Sequence, residues 1–265
     1  MAHQARKRFG QHFLTDPNYI NAIVAAIRPK SGDRVVEIGP GLGAMTLPLL
    51  DQLDQLDVVE IDRDLVSFWS KKNISNLQIH QADALKFDFR QWALDAKENI
   101  ASKKVAGSVK IVGNLPYNIS SPLLFHLISA IDQVDEQIFM LQLEVVERMV
   151  AAPGSSDYSR LSVMLQAKYH MENRIDIPPE AFEPPPKVDS AVVEMIPRRD
   201  LEISDEVWRN LEKIVAASFA QRRKMLGNNL KDYKEKLNLD AEVLKSRAQD
   251  IPVEVYLEWA KTLTA

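Results

Sequence analysis

The first clear period in the chain is helical. Ile20, Ile23, Val24 and Ile27 recur at three- and four-residue steps behind a start signal, Thr15-Asp16-Pro17, and the pattern stops near Pro29. A short continuous apolar run follows at residues 34–38 and predicts a strand buried on both faces. Similar runs at 56–61, 77–80, 109–112 and 137–143 alternate with helix-like stretches at 44–53, 63–72, 90–102 and 120–131. Strands alternating with helices predict an α/β fold with a mostly parallel sheet and right-handed crossovers. Ligands of such sheets gather at the carboxyl ends of the strands.

Downstream the pattern weakens. Residues 158–170 predict a helix, and 174–177 and 191–196 predict strands flanking the stiff loop Ala181-Phe182-Glu183-Pro184-Pro185-Pro186-Lys187-Val188. Pro197-Arg198-Arg199-Asp200 breaks the alternation, and everything after it is helical: 205–219, a turn near Gly227-Asn228-Asn229, then shorter helices, the last from Pro252. The boundary there predicts a first domain over 1–197 and a helical domain over 198–265.

Composition removes several classes of function. The chain has no cysteine, so a disulfide framework, a thiolate metal site and a cysteine nucleophile are excluded, and a reducing, cytoplasmic setting is expected. Five scattered histidines, at 3, 12, 80, 126 and 170, predict no metal site. No apolar run approaches a membrane span, and the polar start at 1–11 is not followed by a signal-peptide core. The net charge of −4 argues against a nucleic-acid partner only until it is divided along the chain. Residues 209–236 carry eight basic and three acidic side chains, and Arg6-Lys7-Arg8 forms a second cluster. Local patches of this kind are what a phosphate backbone meets, and Arg222, Arg223 and Lys224 lie in the larger one.

Four strand ends carry candidate chemistry. The turn Glu37-Ile38-Gly39-Pro40-Gly41-Leu42-Gly43 lets main chain approach a ligand at a helix start, and Glu60 ends the next strand, placed for ribose hydroxyls. This pair fits a nicotinamide dinucleotide as well as an adenosyl cofactor. Asp83, at the third strand end, suits the amino group of an adenine, and no arginine accompanies the turn to meet a pyrophosphate. S-adenosylmethionine therefore fits best. The fourth strand ends in Asn114-Leu115-Pro116-Tyr117, an amide, a freed carbonyl and a flat ring, which suits a planar amine. The Asn114 side-chain oxygen and the Leu115 carbonyl would accept hydrogen bonds from an exocyclic amine while Tyr117 stacks on its base, the ring mattering and not the hydroxyl. The same tetrapeptide also reads as an ordinary turn.

Taken together, Gln11-His12-Phe13-Leu14, the glycine turn, Glu60, Asp83, Asn114 to Tyr117 and the loop from Phe182 to Val188 resemble the ribosomal RNA adenine N6-dimethyltransferases over nearly the whole chain. The resemblance implies a Rossmann-like S-adenosylmethionine-dependent methyltransferase sheet followed by a small C-terminal helical domain used on RNA. It implies that His12, Leu14, Gly39, Gly41, Glu60, Asp83, Ala84 and Asn114 line the cofactor site, and that Tyr117 and Phe182 sandwich the target base. Position 12 departs from the family pattern, being histidine where asparagine is frequent. The long arginine-rich carboxyl end points to the branch that dimethylates two adjacent adenosines near the 3′ end of small-subunit (16S) RNA, on free RNA or a pre-30S particle, as a monomer and in step with subunit biogenesis. Resistance enzymes acting on large-subunit RNA, an assembly factor with incidental catalysis and a nicotinamide oxidoreductase are the alternatives.

Overall fold

The structure is a computed structural model that describes residues 12–264. The cluster Arg6-Lys7-Arg8 and Gln11 lie outside the described residues. Two compact units emerge, one formed by Met1–Val146 with Glu172–Pro197 and the other by Glu147–Met171 with Arg198–Ala265. The break at Pro197 is where the pattern changes; the transfer of Glu147–Met171 to the second unit is not visible in the sequence.

The first unit is a Rossmann-like α/β layer structure. The strands in chain order, of which β7 alone begins in the other unit, are β1 (Phe13–Leu14), β2 (Arg34–Ile38), β3 (Leu56–Glu60), β4 (Leu77–Gln81), β5 (Val109–Asn114), β6 (Glu136–Gln142), β7 (Tyr169–Ile177), β8 (Phe182–Glu183) and β9 (Ser190–Pro197). Seven of them form one sheet in the order β4-β3-β2-β5-β6-β9-β7, and β1 pairs with β8 separately. β2 to β6 run parallel, while β9 lies antiparallel to β6. The continuous apolar runs occupy the centre, where β3 is buried at every residue, and the alternating β7 takes an edge. Because the chain order reverses between β2 and β5, the crevice at their carboxyl ends is a topological switch point.

Helix α1 (Pro17–Ile27) forms as its signals predict. Asp16 caps it by accepting from the Asn18 N–H, Pro17 takes the first turn, and Ile23, Val24 and Ile27 go into the core. The other helices of this unit before β6 are α2 (Thr46–Leu50), α3 (Arg63–Ser70), α4 (Phe89–Lys103) and α5 (Ser120–Leu127). At the amino ends of the strands, away from the crevice, Lys110 is buried beside Asp33 and Glu136 (3.6 and 3.1 Å). Arg28 reaches Glu136 and also Glu194 (2.5 Å). These charges are paired with one another at the end of the sheet away from the crevice.

The second unit holds α7 (Arg160–Gln166), α8 (Asp205–Ser218), α9 (Leu226–Asn229), α10 (Ala241–Lys245) and α11 (Val253–Thr262); α6 (Leu143–Val150), which the sequence reading did not contain, leads into it. Tyr158, Phe219, Tyr256 and Trp259 pack there in tilted and edge-on pairs, and the Tyr256 hydroxyl donates to the Ala248 carbonyl (2.8 Å). Two expectations change here. The helix predicted for 158–170 covers only Arg160–Gln166, because Tyr169 already begins the alternating strand β7. The turn at Gly227-Asn228-Asn229 is instead helical, and Asn229 donates through Nδ2 to the Ser218 and Gln221 carbonyls (2.6 and 3.1 Å). Those bonds close the end of α8 and brace the exposed turn that carries Arg222, Arg223 and Lys224. Among the described residues no helix is long and apolar enough to cross a membrane, and no group of acidic and histidine side chains suits a metal ion.

Candidate active site

The crevice at the ends of β2, β3 and β5 is a cleft of about 560 Å³. Its floor is the turn after β2. Gly39, Gly41 and Gly43 all take positive φ (70°, 53° and 101°), and a Cβ on Gly43 would lie 2.6 Å from the Trp69 ring. The Trp69 indole N–H donates to the Gly41 carbonyl (3.0 Å), which fixes the turn from behind. The Phe13 ring covers Gly41 from the other side, with a Cβ there 3.3 Å from it.

Three carboxylates face this floor. Glu60 is buried, and its Oε1 accepts from the Asp62 N–H (2.8 Å). Burial pushes its carboxyl up, opposed by backbone N–H groups of Asp62, Ile61 and Gly41. Glu37, the penultimate residue of β2, is buried still more completely and is pushed up to about 7 by loss of water. The Thr46 hydroxyl, donating at 2.7 Å, works against that rise, and the Glu60 charge adds to it. Asp83 accepts from the Leu85 N–H (3.0 Å) with one oxygen, beside the buried Ala84. No lysine or arginine lines the cleft among the described residues. A pyrophosphate would meet three carboxyl groups there with no counter-ion among the described residues and would raise the cost of ionising them, whereas a sulfonium and an ammonium favour their ionised forms. The residues present therefore fit S-adenosylmethionine and not a nicotinamide dinucleotide.

The fourth strand end lies at the same cleft. Asn114 is the last residue of β5, one step inside the strand, and its Nδ2 donates to the His12 carbonyl (3.3 Å). With that end of the amide engaged, Oδ1 is the end available to accept. The Leu115 side chain is fully buried and its N–H donates to the Met140 carbonyl (3.1 Å). Tyr117 has its hydroxyl bonded to Ser190 (2.6 Å), and its ring stacks on that of His12 with centroids 6.1 Å apart. The His12 ring is held in turn by the Pro184 carbonyl (2.8 Å from Nδ1).

Of the residues the sequence singled out, His12, Leu14, Gly39, Gly41, Glu60, Asp83, Ala84, Asn114, Leu115 and Tyr117 all line this cleft. Phe182 does not. The pairing of β1 with β8 sets Leu14 opposite Phe182, and the Phe182 ring is buried in the core with Leu14, Ile177 and Ala181. The expected sandwich by Tyr117 and Phe182 is thus absent from this arrangement, and the ring beside Tyr117 is that of His12. Arg222, Arg223 and Lys224 are exposed on the second unit. Sequence reasoning gave Glu37 no role of its own and passed over Ser190. A lone glutamate inside Val35-Val36-Glu37-Ile38 was the signal for the first; the second depends on a tertiary contact.

The model of the ribosomal RNA adenine dimethylase family matches residues 2–264. The chain belongs to that family. It is accordingly an S-adenosylmethionine-dependent methyltransferase of ribosomal RNA adenine. A relative from Burkholderia cenocepacia, named ribosomal RNA small subunit methyltransferase A, is 52% identical over 99% of this chain and 95% of its own length. Among solved structures, a dimethyladenosine transferase from Plasmodium falciparum superposes with a TM-score of 0.76 at 26% identity, covering 94% of this chain and 96% of that one. The 23S rRNA methyltransferase ErmE superposes at 0.68 and 22% identity, over 96% and 100% of the two chains. The fold is common to both kinds of substrate, so it does not choose between them.

Proposed function

We propose that this enzyme dimethylates N6 of two adjacent adenosines near the 3′ end of small-subunit (16S) ribosomal RNA. It acts in the cytoplasm as a monomer, on the RNA or on a pre-30S particle, in step with subunit biogenesis. The choice of subunit follows the name shared by relatives at 52% and 53% identity. The site assignment is carried by one observation: a cleft with three carboxylates and no described cation ends at Asn114-Leu115-Pro116-Tyr117.

Each residue has a task. Glu60 accepts from ribose hydroxyls and Asp83, beside Ala84, from the adenine amino group of the cofactor, while Gly39 and Gly41 let the main chain close on it. His12 and Leu14 complete that wall. When bound, S-adenosylmethionine supplies a methyl group on a sulfonium, which departs as a neutral thioether. The target N6 is a poor nucleophile because its lone pair is delocalised into the ring. Asn114 Oδ1 and the Leu115 carbonyl, accepting from its two N–H bonds, favour a more tetrahedral nitrogen with the lone pair exposed, and Tyr117 fixes the base by stacking, worth roughly 1–3 kcal/mol. Holding nucleophile and methyl in line supplies most of the remaining acceleration. The proton leaves the methylated nitrogen to water, so a strong base is not needed. Arg222, Arg223 and Lys224, together with Arg6, Lys7 and Arg8, contact phosphates and position the RNA.

Calorimetric titration tests the cofactor assignment, with binding expected for S-adenosylmethionine and none for NAD. Labelled methyl transfer to purified small-subunit particles lacking the modification tests the substrate. Transfer to large-subunit RNA alone would overturn the reading in favour of the resistance-type activity.

A further inference from the structure

We infer that Ser190 is a positioning residue for methyl transfer, its hydroxyl holding the Tyr117 ring in the orientation on which the target base stacks. This rests on the reading of Tyr117 as the stacking surface. Ser190 is the first residue of β9, fully buried, and is not part of the cleft wall. Its place is set by the sheet: it lies opposite Gln142 of β6, and the Leu143 N–H donates to the Asp189 carbonyl (2.9 Å) just before it. Tyr117, by contrast, follows a strand in a loop, where a ring on two free torsions has several orientations. The structure removes that freedom at both ends of the residue. The Ser120 hydroxyl donates to the Tyr117 carbonyl (3.1 Å), and the phenol meets Ser190 Oγ at 2.6 Å.

The contact changes what the hydroxyl of Tyr117 is for. A stacking surface needs only a ring, but a ring that is already oriented binds its partner without first losing rotational entropy. The adjacent Asn114 and Leu115 acceptors gain from the same order, because N6 meets them only if the base plane is fixed. An alternative role for Ser190 is simple packing of a small polar residue in the sheet. The two roles separate in a double-mutant cycle, since a positioning role disappears when the phenol is gone and a packing role does not.

The experiment uses the full chain, labelled S-adenosylmethionine and small-subunit particles lacking the modification. Turnover and KM for the particle are measured for wild type, Ser190→Ala, Tyr117→Phe and the double variant, with cofactor affinity by calorimetry. Loss of one neutral hydrogen bond predicts a fall of roughly three- to tenfold in turnover for each single variant. The double variant should be no slower than Tyr117→Phe, with cofactor affinity unchanged. Ser190→Cys, close in size and a poor hydrogen-bond partner, replaces Ser190→Ala if the latter fails to fold. An unchanged turnover in the Ser190 variants, or the same fold-loss in the Tyr117→Phe background, overturns the positioning role. Full activity in Tyr117→Ala would instead sink the stacking reading beneath it.

Discussion

Glu37 makes cofactor binding depend on pH, and the size of the effect follows from its burial. Its carboxyl is pushed up to about 7 by desolvation, so near neutrality the free enzyme holds a proton there about half the time. A cationic cofactor favours the ionised form and must displace that proton. If binding requires ionised Glu37, affinity rises roughly tenfold between pH 6 and pH 8, with about half a proton released at pH 7. The ligand's own α-amino group titrates at about 7.7–8.0 and contributes equally to any variant, so the comparison is with Glu37→Gln. That substitution keeps an acceptor for the Thr46 hydroxyl and removes the titration. Calorimetry in two buffers of different ionisation enthalpy counts the protons directly. Equal proton release and an equal pH slope in wild type and Glu37→Gln would refute the assignment and move the effect to Glu60, whose carboxyl burial also pushes up. The same shift has a consequence for the free protein. A carboxyl whose folded value lies above its unfolded one is least costly below about pH 4.5 and loses stability as pH rises toward 7. Glu37→Gln should therefore stabilise the free enzyme at pH 8 by up to about 3 kcal/mol in urea unfolding, while weakening cofactor binding.

Glu60→Ala removes a buried charged acceptor and should weaken S-adenosylmethionine binding by at least about tenfold, at 1.5–3 kcal/mol for each hydrogen bond to a charged group. RNA affinity should be unchanged, and an unaltered cofactor dissociation constant by calorimetry would contradict the site. Replacing both Arg222 and Arg223 by Ala should make the salt dependence of RNA affinity shallower by about two phosphate contacts, roughly 1.4–1.8 in log–log slope. Cofactor affinity should not move; an unchanged slope in filter binding would place the RNA elsewhere.

What the sequence made legible was whatever is local. The apolar runs that became β2 and β3, the cap Asp16-Pro17 and the glycine turn are each set by neighbours in the chain, and each forms close to where the pattern puts it. The strand ends carrying Glu60, Asp83 and Asn114 converge because parallel strands bring their carboxyl ends together, which the alternation of elements already required. The place of Phe182 in the core is not legible locally, because it is decided by pairing with Leu14, far away in sequence. The segment 147–171 looks in sequence like a continuation of the first domain, and only its packing shows otherwise: α7 lies against α8 and α11. Ser190 follows a proline-rich loop with no pattern of its own, so its bond to Tyr117 was invisible without the fold.

Dimethylation of adenosine in small-subunit RNA is the task proposed for the cleft at Asn114 and Tyr117. Its most direct test is to delete the gene, digest the ribosomal RNA of each subunit and measure N6,N6-dimethyladenosine by mass spectrometry, with the wild-type gene and an Asn114→Ala variant returned in parallel. The adjacent dimethylated pair should disappear from small-subunit RNA, return with the wild-type gene and not return with the variant. A dimethylated pair that persists in small-subunit RNA after deletion, or that is restored in full by Asn114→Ala, would contradict it.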